Sequence, residues 1–158
     1  MMPRLSLQTA ASLAIANKPD FGLPRYLQSS AQKLQPGIGI VHLGPGAFFR
    51  GHQAWYTHRA MQQAGGNWRI CAVSLRTPDV AEALEPQNGL YTLAVMEQQT
   101  EFSLIGSIAE VLVATTQAEQ VLARLTAAST SFVTMTITEK GYCLTPDGGL
   151  DLQHSDIQ

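Results

Sequence analysis

The chain has 158 residues, 45% of them hydrophobic and 14% charged, with a formal net charge of −2. That apolar content and small charge exclude a long disordered chain, and no stretch approaches the ~20 consecutive apolar residues of a membrane helix. The near-neutral balance gives no basic footprint, so neither nucleic acid nor membrane is expected as a partner. The length suits one ordinary domain, or one half of a larger two-domain protein.

Arg4 and the Ala14-Ile15-Ala16 triplet have the flavour of a signal peptide, but Ser6, Gln8, Thr9 and Ser12 interrupt the apolar run. A short amphipathic helix over residues 5–16 fits better, followed by an irregular lead-in with Pro19, Pro24 and Pro36. Cys71 and Cys143 are far apart and form neither a CxxC nor a zinc spacing, so they are expected as buried free thiols. A cytoplasmic location is the corresponding expectation.

At residue 37 the pattern changes. Gly37 to Leu43 is a short β-branched run that reads as a buried strand, ending at Gly44-Pro45-Gly46. Ala47 to about Gln63 reads as one helix closed by Gly65-Gly66, and Arg69 to Leu75 as a second buried strand. A short helix is expected from Pro78 to Leu84. Leu90–Met96 and Phe102–Ile108, separated by the polar Glu97–Glu101, suggest an antiparallel hairpin. Glu110 to Ala114 reads as a further short strand. Thr116 to Ala127 has helical spacing at Ala118, Val121, Leu122 and Leu125. A strand over 132–137 follows, and Asp147-Gly148-Gly149 marks a turn in the tail. Alternating strands and helices argue an α/β domain with a parallel sheet, extended by the hairpin.

Gly44-x-Gly46 follows a predicted strand and opens a predicted helix, the context that makes such a spacing informative. Gly44 permits a tight turn, and Gly46 lets a pyrophosphate approach the backbone without meeting a Cβ. The helix from Ala47 would present free N–H groups and the positive end of its dipole to that anion. Phe49 stands where the usual fingerprint has its third glycine, so closer helix–strand packing is lost or the helix starts at another angle. After the second strand no carboxylate stands immediately at the strand end. Asp79 follows a few residues on and could reach a ribose. Arg76 could contact adenine or a 2′-phosphate, or be a solvated surface residue. Both NAD and NADP stay open at this point. A bare glycine-rich turn with no ligand is the alternative reading, and a methyltransferase turn is another.

The run Ile40-Val41-His42-Leu43-Gly44-Pro45-Gly46-Ala47-Phe48-Phe49-Arg50-Gly51-His52-Gln53-Ala54 resembles the opening of the mannitol dehydrogenase family of long-chain polyol and hexuronate dehydrogenases. Val73–Arg76, Gln87–Leu93, Ile105–Ile108 and Thr136–Tyr142 resemble it in the same order, so that the resemblance covers residues 38–145. It departs at Phe49, where a histidine is usual, and at Gly51, where an alanine is usual. The resemblance implies a Rossmann-type domain over 37–158, after an N-terminal helix and lead-in over 1–36, that binds NAD, with NADP not excluded. It implies hydride transfer between the nicotinamide and a polyol or uronate partner of the mannitol/fructose or mannonate/fructuronate type. It places the general base, a lysine, in a mostly helical C-terminal domain beyond Gln158, so the isolated chain is expected to be inactive. A non-catalytic nucleotide-binding fragment, or a degenerate remnant, is the alternative.

Within the chain, the cofactor side of the site is expected from Gly44, Gly46, Ala47, Phe48, Phe49, Arg50, Arg76, Asp79, Thr138, Glu139 and Lys140. Arg50, in the first turn after the glycines, could meet cofactor phosphates or a carboxylated substrate. Thr138, Glu139 and Lys140 follow a strand whose carboxyl end would border the ligand crevice. Lys140 is tempting as a base, because desolvation shifts lysine readily, but the resemblance puts that lysine elsewhere. His42 reads as a satisfied core histidine and His52 as a structural one. His58 and His154 lack a context for ligation or catalysis. Trp55, Tyr56 and Met61 read as core or as contact surface for a further domain. With no paired carboxylates, Ser-His-Asp set or metal spacing, zinc-dependent chemistry is not expected.

Overall fold

A computed structural model of the chain describes residues 5–10, 22–28 and 36–158, with the backbone alone for residues 139 and 140. The second half of the helix expected over 5–16 lies outside the described residues. Residues 7–10 form a turn, in which the Ala10 N–H donates to the Ser6 carbonyl at 2.8 Å.

From residue 36 on, the elements are β1 (Ile38–Leu43), α1 (Ala47–Gly51), α2 (Gln53–Ala64), β2 (Arg69–Ser74) and α3 (Asp79–Leu84). They continue with β3 (Tyr91–Val95), β4 (Glu101–Ile105), β5 (Ile108–Val113), α4 (Ala118–Leu125) and β6 (Phe132–Met135). Four strands form one parallel sheet in the order β5-β2-β1-β6, while β3 and β4 pair antiparallel beside it. The expected parallel sheet with a hairpin extension is therefore the fold, and its strand order is that of the first half of a Rossmann domain.

β1 and β2 are central and covered on both faces, which is why both read as continuous apolar runs rather than alternating ones. Alternate residues supply opposite layers. Ile40, Ile70 and Ala72 pack with Phe49, Ala54 and Leu84 on one side. Val41, Cys71 and Val73 pack with Leu112, Val121 and Leu125 on the other. A satellite core joins Ala10 and Leu27 of the N-terminal segments to Leu90 and Leu104 of the hairpin. Cys71 is a free thiol and both it and Cys143 are buried, and burial pushes the Cys71 thiol well above its usual range.

Two expected boundaries move. The single helix over 47–63 is two helices, broken at His52 (φ −120°, ψ −87°), whose N–H is shared between the carbonyls of Phe48 and Phe49. The expected strand 102–108 ends at Ile105, and Ile108 instead opens β5 in the other sheet. The crossing at Gly106-Ser107 is tight. A Cβ on Gly106 would lie 2.6 Å from Leu27, and Ser107 Oγ donates to the Ala54 carbonyl at 2.7 Å.

The lead-in is tied down by Tyr26, whose hydroxyl shares a 2.7 Å hydrogen bond with His58 Nδ1 on α2. Burial, helped by the positive charge of Arg59, pushes His58 down to about 4. The unfolded chain therefore takes up a proton that the folded chain refuses between about pH 6.5 and 4. Stability from this group is complete above pH 6.5 and declines as the pH falls through that window, by on the order of 2 kcal/mol. Urea unfolding at pH 7 and pH 4.5 should show the drop, and equal midpoints would contradict it.

Candidate functional site

β1 passes to β2 and then β5 on one side, while β6 lies on the other side of β1. The order reverses between β1 and β6, and in open α/β sheets the ligand crevice opens at the carboxyl ends of such strands. The Gly44-Pro45-Gly46 turn leaves β1 at this place. Its base is fixed by the sheet: the Gly44 N–H donates to Val73 at 3.0 Å, and the Thr136 N–H after β6 donates to Leu43 at 3.0 Å.

The two glycines do different work. Gly44 has φ +86°, and a Cβ there would sit 3.3 Å from the Thr136 carbonyl oxygen, so the fold itself requires glycine. Gly46 has φ −67° and ψ −176°, extended backbone open to any residue, and a Cβ there would touch nothing within 4 Å. Nothing among the described residues asks for glycine at 46. Gly46 is also the N-cap of α1 and makes no side-chain cap, leaving the first amides of the helix, those of Ala47, Phe48 and Phe49, without intrahelical acceptors.

The two phenylalanines diverge. Phe48 is exposed (66%) and stacks on His52. Phe49 is buried (1% exposed), and its ring lies on the His42 imidazole at 3.7 Å between centroids. Its side chain thus fills the core beneath the turn, leaving only its backbone amide to meet a ligand. Arg50 folds back, Nη1 donating to the Pro45 carbonyl at 2.7 Å, and the Tyr91 hydroxyl donates to the Arg50 carbonyl at 2.7 Å. The hairpin thereby braces the end of α1.

Beneath the turn runs a polar chain that sequence reading reduced to one core histidine. His42 Nδ1 lies 2.8 Å from Thr134 Oγ1, and Gln53 Nε2 donates to the same hydroxyl at 2.9 Å. His42 Nε2 lies 3.3 Å from the Gly44 carbonyl and 3.1 Å from Thr136 Oγ1. A carbonyl can only accept, so Nε2 carries the proton and the Thr134 hydroxyl donates to Nδ1. Burial holds His42 below its usual range, in the neutral form this chain needs. The alternation of β1 and β6, each putting one polar residue on the same side of the seam, was the available signal.

At the end of β2, Asp79 opens α3 and its carboxylate accepts the Thr77 hydroxyl at 2.9 Å. Arg76 is paired with Asp156 of the tail, a partner no local pattern announced. Thr138 lies beyond β6 at the same end of the sheet, and its carbonyl accepts the Gly141 N–H at 2.8 Å. The backbone of Glu139 and Lys140 follows in the 3-10 turn Glu139–Tyr142. The expected residues therefore collect at one end of the sheet, with Gly44–Arg50 and Thr138–Lys140 at the switch point and Arg76 and Asp79 beside it.

Among the described residues, Cys143, His154 and Asp156 also come within 4.8 Å of one another through their ligand-type atoms. Each already has a partner within the protein: Cys143 Sγ donates to the Gly141 carbonyl at 3.8 Å. Asp156 is held by Arg76, and His154 Nδ1 accepts the Asp156 N–H at 3.2 Å. No helix among the described residues is long and apolar enough to cross a membrane.

A parallel half-sheet with a glycine turn at its switch point, opening uncapped helix amides, defines a domain of the Rossmann class. The sequence profile described as the mannitol dehydrogenase Rossmann domain matches residues 38–154, and the chain belongs to the mannitol dehydrogenase family. It is 36% identical to mannitol 2-dehydrogenase of Aspergillus terreus over 98% of this chain and 31% of that protein. It is 40% identical to D-mannonate oxidoreductase of Escherichia coli over 75% of this chain and 26% of that protein. The solved structure of Pseudomonas fluorescens mannitol 2-dehydrogenase, a ternary complex with NAD and D-mannitol, superposes with a TM-score of 0.76 at 33% identity. That match covers 95% of this chain and 30% of the other. The chain thus spans less than a third of the length of these relatives.

Proposed function

We propose that this chain is the cofactor-binding domain of an NAD(P)-dependent oxidoreductase acting on a polyol or aldonate. The carrying observation is Gly46, a glycine without an internal steric or conformational reason, at the mouth of a turn with open helix amides. A pyrophosphate supplies the missing reason, since it needs the backbone bare. The amides of Ala47, Phe48 and Phe49 would hold it, Arg50 would add charge from the same turn, and Asp79 would face the ribose end. Thr138, Glu139 and Lys140 would border the nicotinamide side. The nicotinamide supplies the hydride chemistry when bound.

The substrate class rests on the relatives, one named for mannitol and another for mannonate. The general base and most substrate contacts are assigned to the part of a full-length relative that this chain does not span. One surface is suited to meet that part. β6 is the outer strand of the parallel sheet, and Phe132, Val133 and Met135 along it and Ile137 just beyond it are exposed. An apolar strand of this kind at a sheet edge invites cover.

The test is a thermal melt of the chain with NADH. A cofactor at about a hundred times its Kd adds about 2.7 kcal/mol, a rise of several degrees for a domain of this size. No rise with millimolar NADH or NADPH would overturn the reading. With NADH and fructose or fructuronate, the isolated chain is expected to give no turnover. Turnover at ordinary enzymatic rates would place the base within these residues instead.

A further inference from the structure

The carboxyl end of β2 adjoins the glycine turn, through the Gly44 N–H bonded to Val73. In this fold class that strand end receives the adenosine ribose, where a carboxylate favours NAD and a free guanidinium accommodates the 2′-phosphate of NADP. Residues 74–78 contain one charged side chain, Arg76, and no carboxylate. By itself that pattern favours the phosphate.

The fold alters the balance. The Arg76 guanidinium is paired with the carboxylate of Asp156, 80 residues further along the chain. Asp156 is delivered by a tail with its own turn structure. Leu144 and Leu150 form an antiparallel bridge, the Asp151 N–H donates to Cys143 at 2.8 Å, and Asp151 Oδ1 accepts the Gln153 N–H at 3.0 Å. The Asp156 N–H then closes on His154 Nδ1. With Asp79 held by Thr77 just after the strand, the strand end carries two carboxylates against one guanidinium. A 2′-phosphate brought there adds up to two further negative charges.

We propose that Asp156 is a specificity-determining residue for the cofactor: by occupying Arg76 it converts a 2′-phosphate acceptor into a site that discriminates against it, so that the chain takes NAD(H) over NADP(H). The inference rests on the reading that the Gly44–Gly46 turn holds a nicotinamide dinucleotide, and it adds which of the two is taken and by what device. Arg76 and Asp156 are both well exposed, with 77% and 43% of their side-chain surfaces free, so the pair contributes little to folding. Removing one partner therefore alters the local charge without unfolding the domain.

The experiment is calorimetric titration of the full 158-residue chain with NADH and with NADPH, for the unaltered protein, Asp156→Asn, Arg76→Ala and the double variant, each with a melt to verify folding. The unaltered chain should bind NADH about tenfold or more tighter than NADPH, the scale of one charge-assisted hydrogen bond. Asp156→Asn should tighten NADPH about tenfold and leave NADH within about threefold, and the gain should vanish when Arg76→Ala is added. The preference should also weaken as salt is raised. An unchanged NADH-to-NADPH ratio in Asp156→Asn would overturn the inference while leaving dinucleotide binding intact. So would a gain that survives Arg76→Ala. Failure of both cofactors to bind the unaltered, folded chain overturns the reading of the turn, and this inference with it.

Discussion

Gly46→Val should abolish NADH binding while leaving the melting temperature of the free chain within about 2 °C of the unaltered protein. Two observations make the effect one-sided. The backbone at 46 is already in a conformation that valine adopts freely, and the space its Cβ would enter holds no protein atom within 4 Å. The substitution therefore creates no clash in the free domain, and replacing a flexible residue offsets part of any remaining cost. In the proposed complex the same isopropyl group would stand where the pyrophosphate would lie against the amides of Ala47 and Phe48. An anion pushed off a helix N-terminus loses its charge-assisted hydrogen bonds together, a loss of at least ~100-fold in affinity. Calorimetry with NADH and a melt without it measure the two halves separately. Gly44→Ala is the control with the opposite signature. At φ +86° and 3.3 Å from the Thr136 carbonyl, it should lower the melting temperature before any ligand is added. If Gly46→Val destabilised the free chain as much, the glycine would have a structural reason and the argument for the pyrophosphate would fail.

The contrast between these neighbours also marks how far the sequence could be read. The strand–turn–helix context of Gly44 and Gly46 was legible, because buried parallel strands leave continuous β-branched runs and the glycines punctuate them. The sheet order was not legible, since nothing local says that β6 returns to the far side of β1, and it is that return which creates the crevice. The Phe102–Ile108 run misled for a related reason. Leu104, Ile105 and Ile108 are all buried, so the apolar pattern passes without a break from an antiparallel strand of one sheet into a parallel strand of another. The break at His52 follows Gly51 directly, inside a run whose spacing reads as one helix, and it leaves Phe49 buried against His42. The loss of the third fingerprint glycine thus reads differently in three dimensions, as a ring packed under the turn. Asp156 lay beyond local reading altogether, because its meeting with Arg76 is made by the path of the tail.

The largest loss of stability is expected from Gly39→Ala, a change of one methyl group in β1. Gly39 lies where the pairing of β1 with β2 skips a residue between Ile38 and Ile40, and this irregularity brings the strand unusually close to the chain entering β2. A Cβ at 39 would stand 2.1 Å from the carbonyl oxygen of Asn67 and 3.4 Å from the Trp68 ring. The obstacle is backbone, and it is anchored on both flanks. The Asn67 side chain accepts the Gly37 N–H at 2.9 Å, and the Arg69 N–H donates to Gly37 at 3.2 Å. On its other edge Gly39 itself accepts the Ser131 N–H at 2.8 Å, holding β1 to the start of β6. Relief would require β1 to move away from β2, and with it the seam that positions the glycine turn. Overpacking of this kind costs about 3 kcal/mol or more, a large part of the stability of an ordinary domain. Urea unfolding should therefore show a midpoint shifted by more than 1 M for an m-value of about 2 kcal/mol/M. NADH should recover part of that stability if the turn can still form, because ligand binding draws the equilibrium toward the folded state. An unshifted midpoint would mean that the β1–β2 entry relaxes freely, and that the close approach of Asn67 is not what demands glycine at 39.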